Sequence, residues 1–258
     1  MDVPDRTGAI AIAAQHVRKR FGHVEALRDA SVAVRRGEVV ALFGDNGAGK
    51  STLLRTLQGV HQPDEGQIVI GDRPVVLGSV RDAQRRGVDT VYQDLALAPD
   101  LSVVDNMFLG HEVIRSGLPA VFGVLSRTGM VERADAALRE LSIVLPSLTV
   151  PVRDLSGGQR QAVAVARAVM WSRTAVLMDE PTAALGARQS EVVCELMRTV
   201  AARGLGVLVV SHDLPRVLAV ADRVAILWRG ETALEADASD LTVPDVVATM
   251  VGYRAEAG

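Results

Sequence analysis

Short apolar segments alternate with polar turns and amphipathic stretches along most of this chain. In the first third the pattern predicts strands over 10–17, 30–34, 39–43, 67–70 and 88–92. Beyond residue 154 it predicts helices over 157–171 and 188–203, a short later helix, and strands over 175–178, 207–210 and 224–228. Regular alternation of strands and helices is typical of an α/β protein with a mainly parallel sheet.

The segment from about residue 94 to 152 has a different pattern. Helical spacing replaces the strand signal, most clearly over 132–141, with breaks at Gly117-Leu118-Pro119 and Leu145-Pro146-Ser147. We expect a helical subdomain over 94–153, inserted into one domain whose core comprises 1–93 and 154–258. A chain of 258 residues that is 48% hydrophobic can form such a core.

Composition excludes several classes of protein. The net charge of -3 lacks the basic excess typical of nucleic-acid binders, so we expect no nucleic-acid partner. Cys194 is the single cysteine, which excludes an intrachain disulfide and a cysteine-based metal site. The apolar stretch 217–228 is interrupted by charges and is shorter than the roughly 20 residues that span a bilayer. Acidic residues in Met1–Asp5, where a secretory signal is basic, predict a cytoplasmic protein.

A glycine-rich loop follows the predicted strand 39–43. It reads Gly44-Asp45-Asn46-Gly47-Ala48-Gly49-Lys50-Ser51 and continues into Thr52. In such a loop the backbone amides surround a polyphosphate, the lysine reaches the terminal phosphates and the serine hydroxyl holds Mg²⁺. A helix beginning at Lys50 adds the partial positive charge of its N-terminus. A glycine turn without a ligand is disfavoured by the strand and helix on either side, so the loop predicts binding of ATP or GTP.

Two more motifs follow in order. Leu155-Ser156-Gly157-Gly158-Gln159 places a hydroxyl and glycine amides at a predicted helix N-terminus, which suits an anion, although alone it is equally typical of a helix cap. Ala175-Val176-Leu177-Met178-Asp179-Glu180 places two carboxylates at the end of a buried strand. There, one carboxylate can serve a metal ion and the other a water molecule.

In this order, the three motifs resemble those of the nucleotide-binding subunits of ABC transporters, and the resemblance covers nearly the whole chain. It implies a P-loop NTPase (RecA-like) α/β core with a mainly parallel sheet, an N-terminal antiparallel β region and an inserted helical subdomain. The implied cofactors are ATP and Mg²⁺, with Ser51, Gln93 and Asp179 at the metal. Glu180 is implied to be the general base that polarises the attacking water, a role worth about 10²–10⁴ in rate.

The same resemblance gives roles to residues that would otherwise be ordinary. Gln93 matches a metal-contacting glutamine that senses the membrane partner, and His212 matches a histidine that contacts the γ-phosphate. With Lys50 and Glu180 they form the implied catalytic set. Phe21, in Arg18-Lys19-Arg20-Phe21-Gly22, stands where an aromatic ring stacks on adenine. In other contexts, such a glutamine is usually a solvated loop residue, a lone histidine is usually structural, and a small core contact competes for Phe21.

One departure from the family pattern follows Pro181-Thr182. The family commonly ends this segment in leucine and aspartate, whereas this chain reads Ala183-Ala184-Leu185-Gly186. The aspartate helps two subunits communicate, so Gly186 puts coupling between the ATP sites in doubt. Because the phosphate motifs and Glu180 are intact, we still expect hydrolysis.

The resemblance also implies partners. Each ATP would lie between the Gly44 loop of one subunit and Ser156, Gly157, Gly158 and Gln159 of a second copy or a homologue. Closure of this dimer would drive membrane permease subunits, with the chain peripheral at the cytoplasmic face. Two stretches, 91–97 and 106–110, look like those of importers for ribose, xylose or fructose, which adds an indirect sugar-binding protein.

Other classes remain to be weighed. A soluble ABC ATPase, such as one of iron–sulfur assembly, stays open. A DNA-repair ATPase of the long coiled-coil type is excluded because no insertion of hundreds of residues separates Lys50 from Ser156. A nucleotide-binding regulator without turnover is disfavoured by Glu180, although Gly186 keeps it in consideration.

Overall fold

A ten-stranded sheet runs through the part of the chain that the computed structural model describes, residues 8–115, 123–183 and 185–252. The strands are β1 Ile10–Phe21, β2 Val24–Arg35, β3 Val39–Gly44, β4 Glu65–Ile70, β5 Arg73–Val75, β6 Val88–Val91, β7 Ala175–Asp179, β8 Gly206–Val210, β9 Arg223–Trp228 and β10 Glu231–Asp237. The helices are α1 Lys50–Leu57, α2 Val80–Arg85, α3 Val103–Phe108, α4 Arg127–Glu140, α5 Gly157–Trp171, α6 Ala187–Ala202, α7 Leu214–Val220 and α8 Val243–Met250. Short 3₁₀ turns occupy Val152–Asp154 and Ala238–Asp240.

The strand order is β5-β4-β1-β2-β10-β9-β3-β8-β7-β6. Strands β9, β3, β8, β7 and β6 are mutually parallel, whereas β5, β4, β1 and β2 form an antiparallel N-terminal region. The two regions meet where Glu231 of β10 pairs with Asp29 of β2. The expected α/β fold, with a mainly parallel core and an antiparallel N-terminal part, is confirmed.

Strand β3 lies at the centre of the core and is buried along its whole length. Val39, Ala41 and Phe43 belong to a core cluster that includes α5 and α6, and Val40 and Leu42 pack with the leucines of α1. A parallel strand covered on both faces needs apolar side chains at every position, which explains the continuous apolar run in the sequence.

The carboxyl ends of three central strands meet at one edge. Leu42 of β3 and Asp179 of β7 both lie beside Val210 of β8. The loops that follow these strands therefore start side by side, and this edge is where ligands bind in open α/β sheets.

Segment 94–153 contains α3 and α4, as its helical pattern predicts. Both helices pack on α5, with Met107, Met130 and Leu138 in the same buried cluster as β3. The break at Gly117-Leu118-Pro119 lies outside the described residues, as does Ala184. The subdomain bounds remain a prediction.

Several elements extend or add to the sequence prediction. β1 continues through Arg18-Lys19-Arg20 to Phe21, because β4 pairs with it as far as Arg18 and β2 pairs with it as far as Phe21. Neither β10 nor α8 is among the elements predicted from the sequence, and β10 is only partly buried. No helix among the described residues combines the length and apolar character needed to cross a membrane.

Candidate active site

The loop after β3 turns sharply into α1. Gly49 caps α1 with a φ of +107°, a conformation that L side chains rarely adopt. Gly44 has a φ of +155°, and a Cβ there would lie 2.5 Å from the carbonyl oxygen of Leu227. The glycines let the backbone turn while it passes close to the neighbouring strand β9.

Lys50 is the first residue of α1 and folds back over the loop. Its Nζ donates to the carbonyl oxygens of Gly44 at 2.7 Å and Asp45 at 3.1 Å, and only 7% of the residue is exposed. Burial lowers the pKa of Lys50, and nearby carboxylates, chiefly Glu180, oppose that effect. The ammonium group is thus held inside the loop with carboxylates as its electrostatic neighbours.

Asp179 ends β7, and Glu180 follows it in a left-handed conformation with a φ of +49°. The Glu180 amide donates to the carbonyl of Val210 at 2.9 Å, which fixes this turn against β8. Its carboxylate lies 3.1 Å from Nε2 of His212 and also accepts from the His212 amide at 3.1 Å. A non-glycine residue held in this region at a functional edge is typical of a constrained active-site position.

Burial raises the pKa of both carboxyls. For Asp179 the opposing charges are Arg55 and Lys50. For Glu180 the chief opposing group is His212. A carboxylate that is partly desolvated and fixed in orientation has the properties of a general base.

These residues share one cavity of about 330 Å³. Its walls gather most of the predicted site, namely Asn46, Gly47, Ala48, Gly49, Lys50, Ser51, Thr52, Gln93, Asp179, Glu180 and His212. Val24, Glu25 and Ala26 of β2 form a wall that the motifs did not indicate, since a strand leaves no phosphate-binding signature.

The oxygen donors in this cavity fit Mg²⁺. The Ser51 hydroxyl, the Gln93 amide and the Asp179 carboxylate are hard ligands, and one or two carboxylates plus phosphate and water are what Mg²⁺ usually takes. No group of three or more His, Cys, Asp or Glu side chains suited to a metal occurs in the described ranges, so a carboxylate-rich cage is absent from them.

The second motif lies elsewhere. Ser156 caps α5, accepting from the Gln159 amide at 3.3 Å while its own amide donates to the Gln159 side chain at 2.9 Å. Ser156, Gly158 and Gln159 line a separate cavity of about 370 Å³ against α6, and Gly157 begins α5 beside them. A single chain therefore does not bring this motif to the phosphate loop.

Phe21 sits at the end of β1 and is 43% exposed, so its ring is not part of the core. His61 meets it edge-on at 5.0 Å between ring centroids, and the Lys19 ammonium lies 5.6 Å from the ring centroid. The ring does not line the phosphate cavity, but Val24, its partner across the hairpin, does. This places Phe21 beside the cavity with an open surface.

Gly186 is the N-cap of α6 and has an extended conformation, with φ -71° and ψ 161°. Its amide donates to Oε1 of Gln189 at 3.0 Å. A glycine is not required by this backbone.

Comparison with known proteins agrees with the geometry. The family described as "ABC transporter" matches residues 27–183. The xylose/arabinose import ATP-binding protein XylG of Sulfolobus acidocaldarius is 44% identical over 92% of each chain. The fructose import ATP-binding protein FrcA of Rhizobium meliloti is 43% identical over 94% of each. A ribose import ATP-binding protein, RbsA 2 of Streptomyces avermitilis, is 38% identical over 98% of this chain, which spans about half of that longer relative (49%).

Solved structures show the same fold. The ATP-binding cassette MJ1267 of an ABC transporter superposes with a TM-score of 0.81 at 25% identity, covering 96% of this chain and 99% of that one. The dimeric cassette MJ0796, bound to ADP and phosphate, has a TM-score of 0.70 at 27% identity over 88% of this chain and 98% of its own. Together with the relatives, these matches confirm the resemblance seen in the motifs. This chain belongs to the ABC transporter family and is an ATP-binding subunit that hydrolyses ATP.

Proposed function

We propose that this chain powers the import of a simple sugar through a membrane permease. The observation that carries the ATPase chemistry is the shared cavity, in which Lys50, Ser51, Asp179, Glu180 and His212 meet. The sugar assignment is supported by relatives named as xylose/arabinose, fructose and ribose import proteins. These names favour a transporter over the alternative of a soluble iron–sulfur assembly ATPase.

Each side chain that lines the cavity has a proposed task. The loop amides and Lys50 would bind the phosphates of ATP, and Ser51, Gln93 and Asp179 would hold Mg²⁺. When bound, Mg²⁺ would neutralise part of the negative charge of the phosphates. Glu180 would accept a proton from the attacking water. His212, which contacts both oxygens of the Glu180 carboxylate, would bind the terminal phosphate. Phosphoryl transfer needs this positioning and charge neutralisation rather than a covalent intermediate.

Hydrolysis is proposed to need two subunits. Ser156 and the following glycines form a helix N-terminus that can bind phosphate, yet they line a different cavity from Lys50. A second copy or a homologue would present its own Ser156 to the ATP held here. The similar cassette MJ0796 is dimeric, which supports a two-subunit arrangement. ATP then joins the subunits, and its hydrolysis products release them.

The partners follow from this cycle. Permease subunits would dock near Gln93 and the segment after it, placing the chain at the cytoplasmic face of the membrane as a peripheral subunit. A sugar-binding protein outside the membrane would act indirectly, through the permease. Phe21 is proposed to support the adenine base.

The test is the identity of the proteins that accompany the chain. An affinity-tagged copy is purified from membranes of its native host in mild detergent, and its companions are identified by mass spectrometry. The Glu180→Gln variant, which should hold the ATP-bound dimer, serves as a second bait. A polytopic permease with a sugar-binding protein supports the proposal, whereas recovery only with soluble partners contradicts the transport role and leaves the ATPase chemistry intact.

A further inference from the structure

The segment just after Gln93 contains an unusual backbone. Leu95 and Ala96 are consecutive non-glycine residues with φ values of +61° and +47°. The left-handed region disfavours L residues with a Cβ and is visited mostly by isolated residues. Two consecutive residues in this state carry backbone strain, which persists only where the surrounding contacts compensate for it.

Arg167 of α5 contacts this strained segment directly. The guanidinium donates to the carbonyl oxygens of both strained residues, Ala96 at 2.7 Å and Leu95 at 2.9 Å. The charged and titratable groups around it are Asp89, Tyr92 and Asp94, and burial lowers the pKa of Arg167 against the pull of Asp89. The planar guanidinium group of an arginine can donate to two carbonyl oxygens at once in a fixed geometry, which the single ammonium group of a lysine does less well.

A second contact from the same helix reinforces the grip. Trp171 lies one turn after Arg167 on α5, and its Nε1 donates to the carbonyl oxygen of Met107 at 2.9 Å. One face of α5 is thus bonded to the Gln93 segment and to α3.

The other end of α5 is the signature motif. Ser156 caps the helix, and Arg167 lies roughly 16 Å along its axis from that cap at the usual rise per residue. Under the proposed function, Ser156 serves the ATP held by the partner subunit, whereas Gln93 lines the cavity that holds this subunit's own ATP. The N-terminus of α5 therefore serves the partner's ATP, and the part of α5 that carries Arg167 contacts the segment beside this subunit's own ATP.

We propose that Arg167 is a positioning residue that couples the two ATP sites of the dimer. When the partner's nucleotide draws Ser156 toward it, α5 shifts and Arg167 carries the carbonyls of Leu95 and Ala96 with it. The strained segment then changes its arrangement and moves Gln93 in this subunit's own cavity. This inference rests on the proposed function, and it gives a route between the sites that does not need the aspartate replaced by Gly186.

The experiment is the ATP dependence of hydrolysis by the full chain, with variants Arg167→Met and Arg167→Lys. Arg198→Met is the matched control, since Arg198 also donates to a backbone carbonyl, that of Ala219 at 3.2 Å, but between α6 and α7. We expect a Hill coefficient above 1 for the wild type and for Arg198→Met. The coefficient should fall to about 1 in Arg167→Met and to an intermediate value in Arg167→Lys, with the affinity of single subunits for a fluorescent ATP analogue unchanged.

Several outcomes would overturn the inference. If the Hill coefficient is the same in the wild type and in both Arg167 variants, Arg167 is only a structural contact. If the wild-type coefficient is 1, the two ATP sites are not cooperative and Arg167 cannot couple them. If Arg167→Met does not fold, Arg167→Lys decides alone. Failure of the proposed function looks different: the wild type itself would show no Glu180-dependent hydrolysis, or no permease among its companions.

Discussion

Both carboxylate oxygens of Glu180 are held by His212, 32 positions later in the chain. Oε1 lies 3.1 Å from the imidazole Nε2, and Oε2 accepts from the His212 amide, also at 3.1 Å. These two contacts with one residue fix the orientation of the carboxylate. Groups fixed in this way need little reorganisation when they act in catalysis.

The first prediction concerns turnover. Glu180→Gln keeps the shape of the side chain but removes the ability to accept a proton, so we expect hydrolysis to fall by about 10²–10⁴ while ATP still binds. Phosphate release and binding of a fluorescent ATP analogue measure the two properties separately. Glu191→Gln, an exposed residue on α6, is the control. Turnover near the wild-type level in Glu180→Gln would remove Glu180 from the base role.

The same variant should change stability with pH. Because burial raises the pKa of Glu180, the folded state binds its proton more tightly than the unfolded chain does. The ionised carboxylate therefore costs stability as pH rises through the window between the ordinary and the raised pKa, and the cost is absent below that window. The melting temperature of Glu180→Gln should be higher than that of the wild type at neutral pH, and the difference between the two should shrink in acid. A difference in melting temperature that is constant with pH would contradict this assignment.

Such coupling of residues far apart in sequence marks the limit of the sequence-based predictions. The run Val39–Phe43 and the glycine loop predicted a strand, a turn and a helix correctly, because burial on both faces and left-handed turns leave clear residue signals. The contact of Glu180 with His212 depends on β7 lying beside β8, and the residues of these two segments do not indicate which strands are neighbours.

Other features left no signal for a related reason. Arg18-Lys19-Arg20 lies beyond the predicted strand 10–17, yet it is strand because Arg18 pairs with β4 and Lys19 and Arg20 pair with β2. Leu95 and Ala96 are neither glycine nor asparagine, so nothing in their identity indicates a left-handed backbone. Their carbonyl oxygens accept from Arg167, a residue that lies 71 and 72 positions away, and no local pattern records such a contact.

The glycines of the phosphate loop differ in what they tolerate. In Gly49→Ala the new Cβ would meet the Ala26 carbonyl oxygen and the Leu27 side chain at 2.8 Å, in addition to a φ of +107°. Backbone strain of about 1–2 kcal/mol and overpacking of about 1–3 kcal/mol should both lower the free energy of unfolding. Gly47→Ala, at a φ of +79° with open space around it, should lose only the stability that corresponds to backbone strain. Denaturant unfolding compares them, and equal losses would show that the close approach at Gly49 does not matter.

The exposed ring of Phe21 should affect affinity rather than chemistry. If the open surface of Phe21 stacks on adenine, Phe21→Ala should weaken ATP binding by about 1–3 kcal/mol, with turnover at saturating ATP unchanged. Phe21→Trp should retain binding. Val76→Ala is the control, because Val76 is a 79% exposed side chain remote from the phosphate cavity in the strand order. Unchanged affinity in Phe21→Ala would leave the ring as a local contact of His61 and Lys19.

The last prediction concerns the residue in which this chain departs from its family. Gly186 has the extended backbone of a helix N-cap, and a Cβ there would meet nothing nearer than Oε1 of Gln189 at 3.5 Å. Gly186→Asp should therefore fit and cap α6, raising the free energy of unfolding by a few tenths of a kcal/mol up to about 1 kcal/mol. Denaturant unfolding of Gly186→Asp and Gly186→Ala separates the gain from the carboxylate from the gain from the Cβ.

The functional effect of Gly186→Asp depends on where its carboxylate acts. If an aspartate here works across the dimer interface, as the family pattern implies, the ATP dependence of hydrolysis should become steeper than in the wild type, whereas Gly186→Ala should leave it unchanged. The double variant with Arg167→Met then tests independence: a Hill coefficient restored above 1 means that the two residues couple the sites by separate routes. A coefficient that stays at 1 means that signals from the Gly186 segment also pass through Arg167.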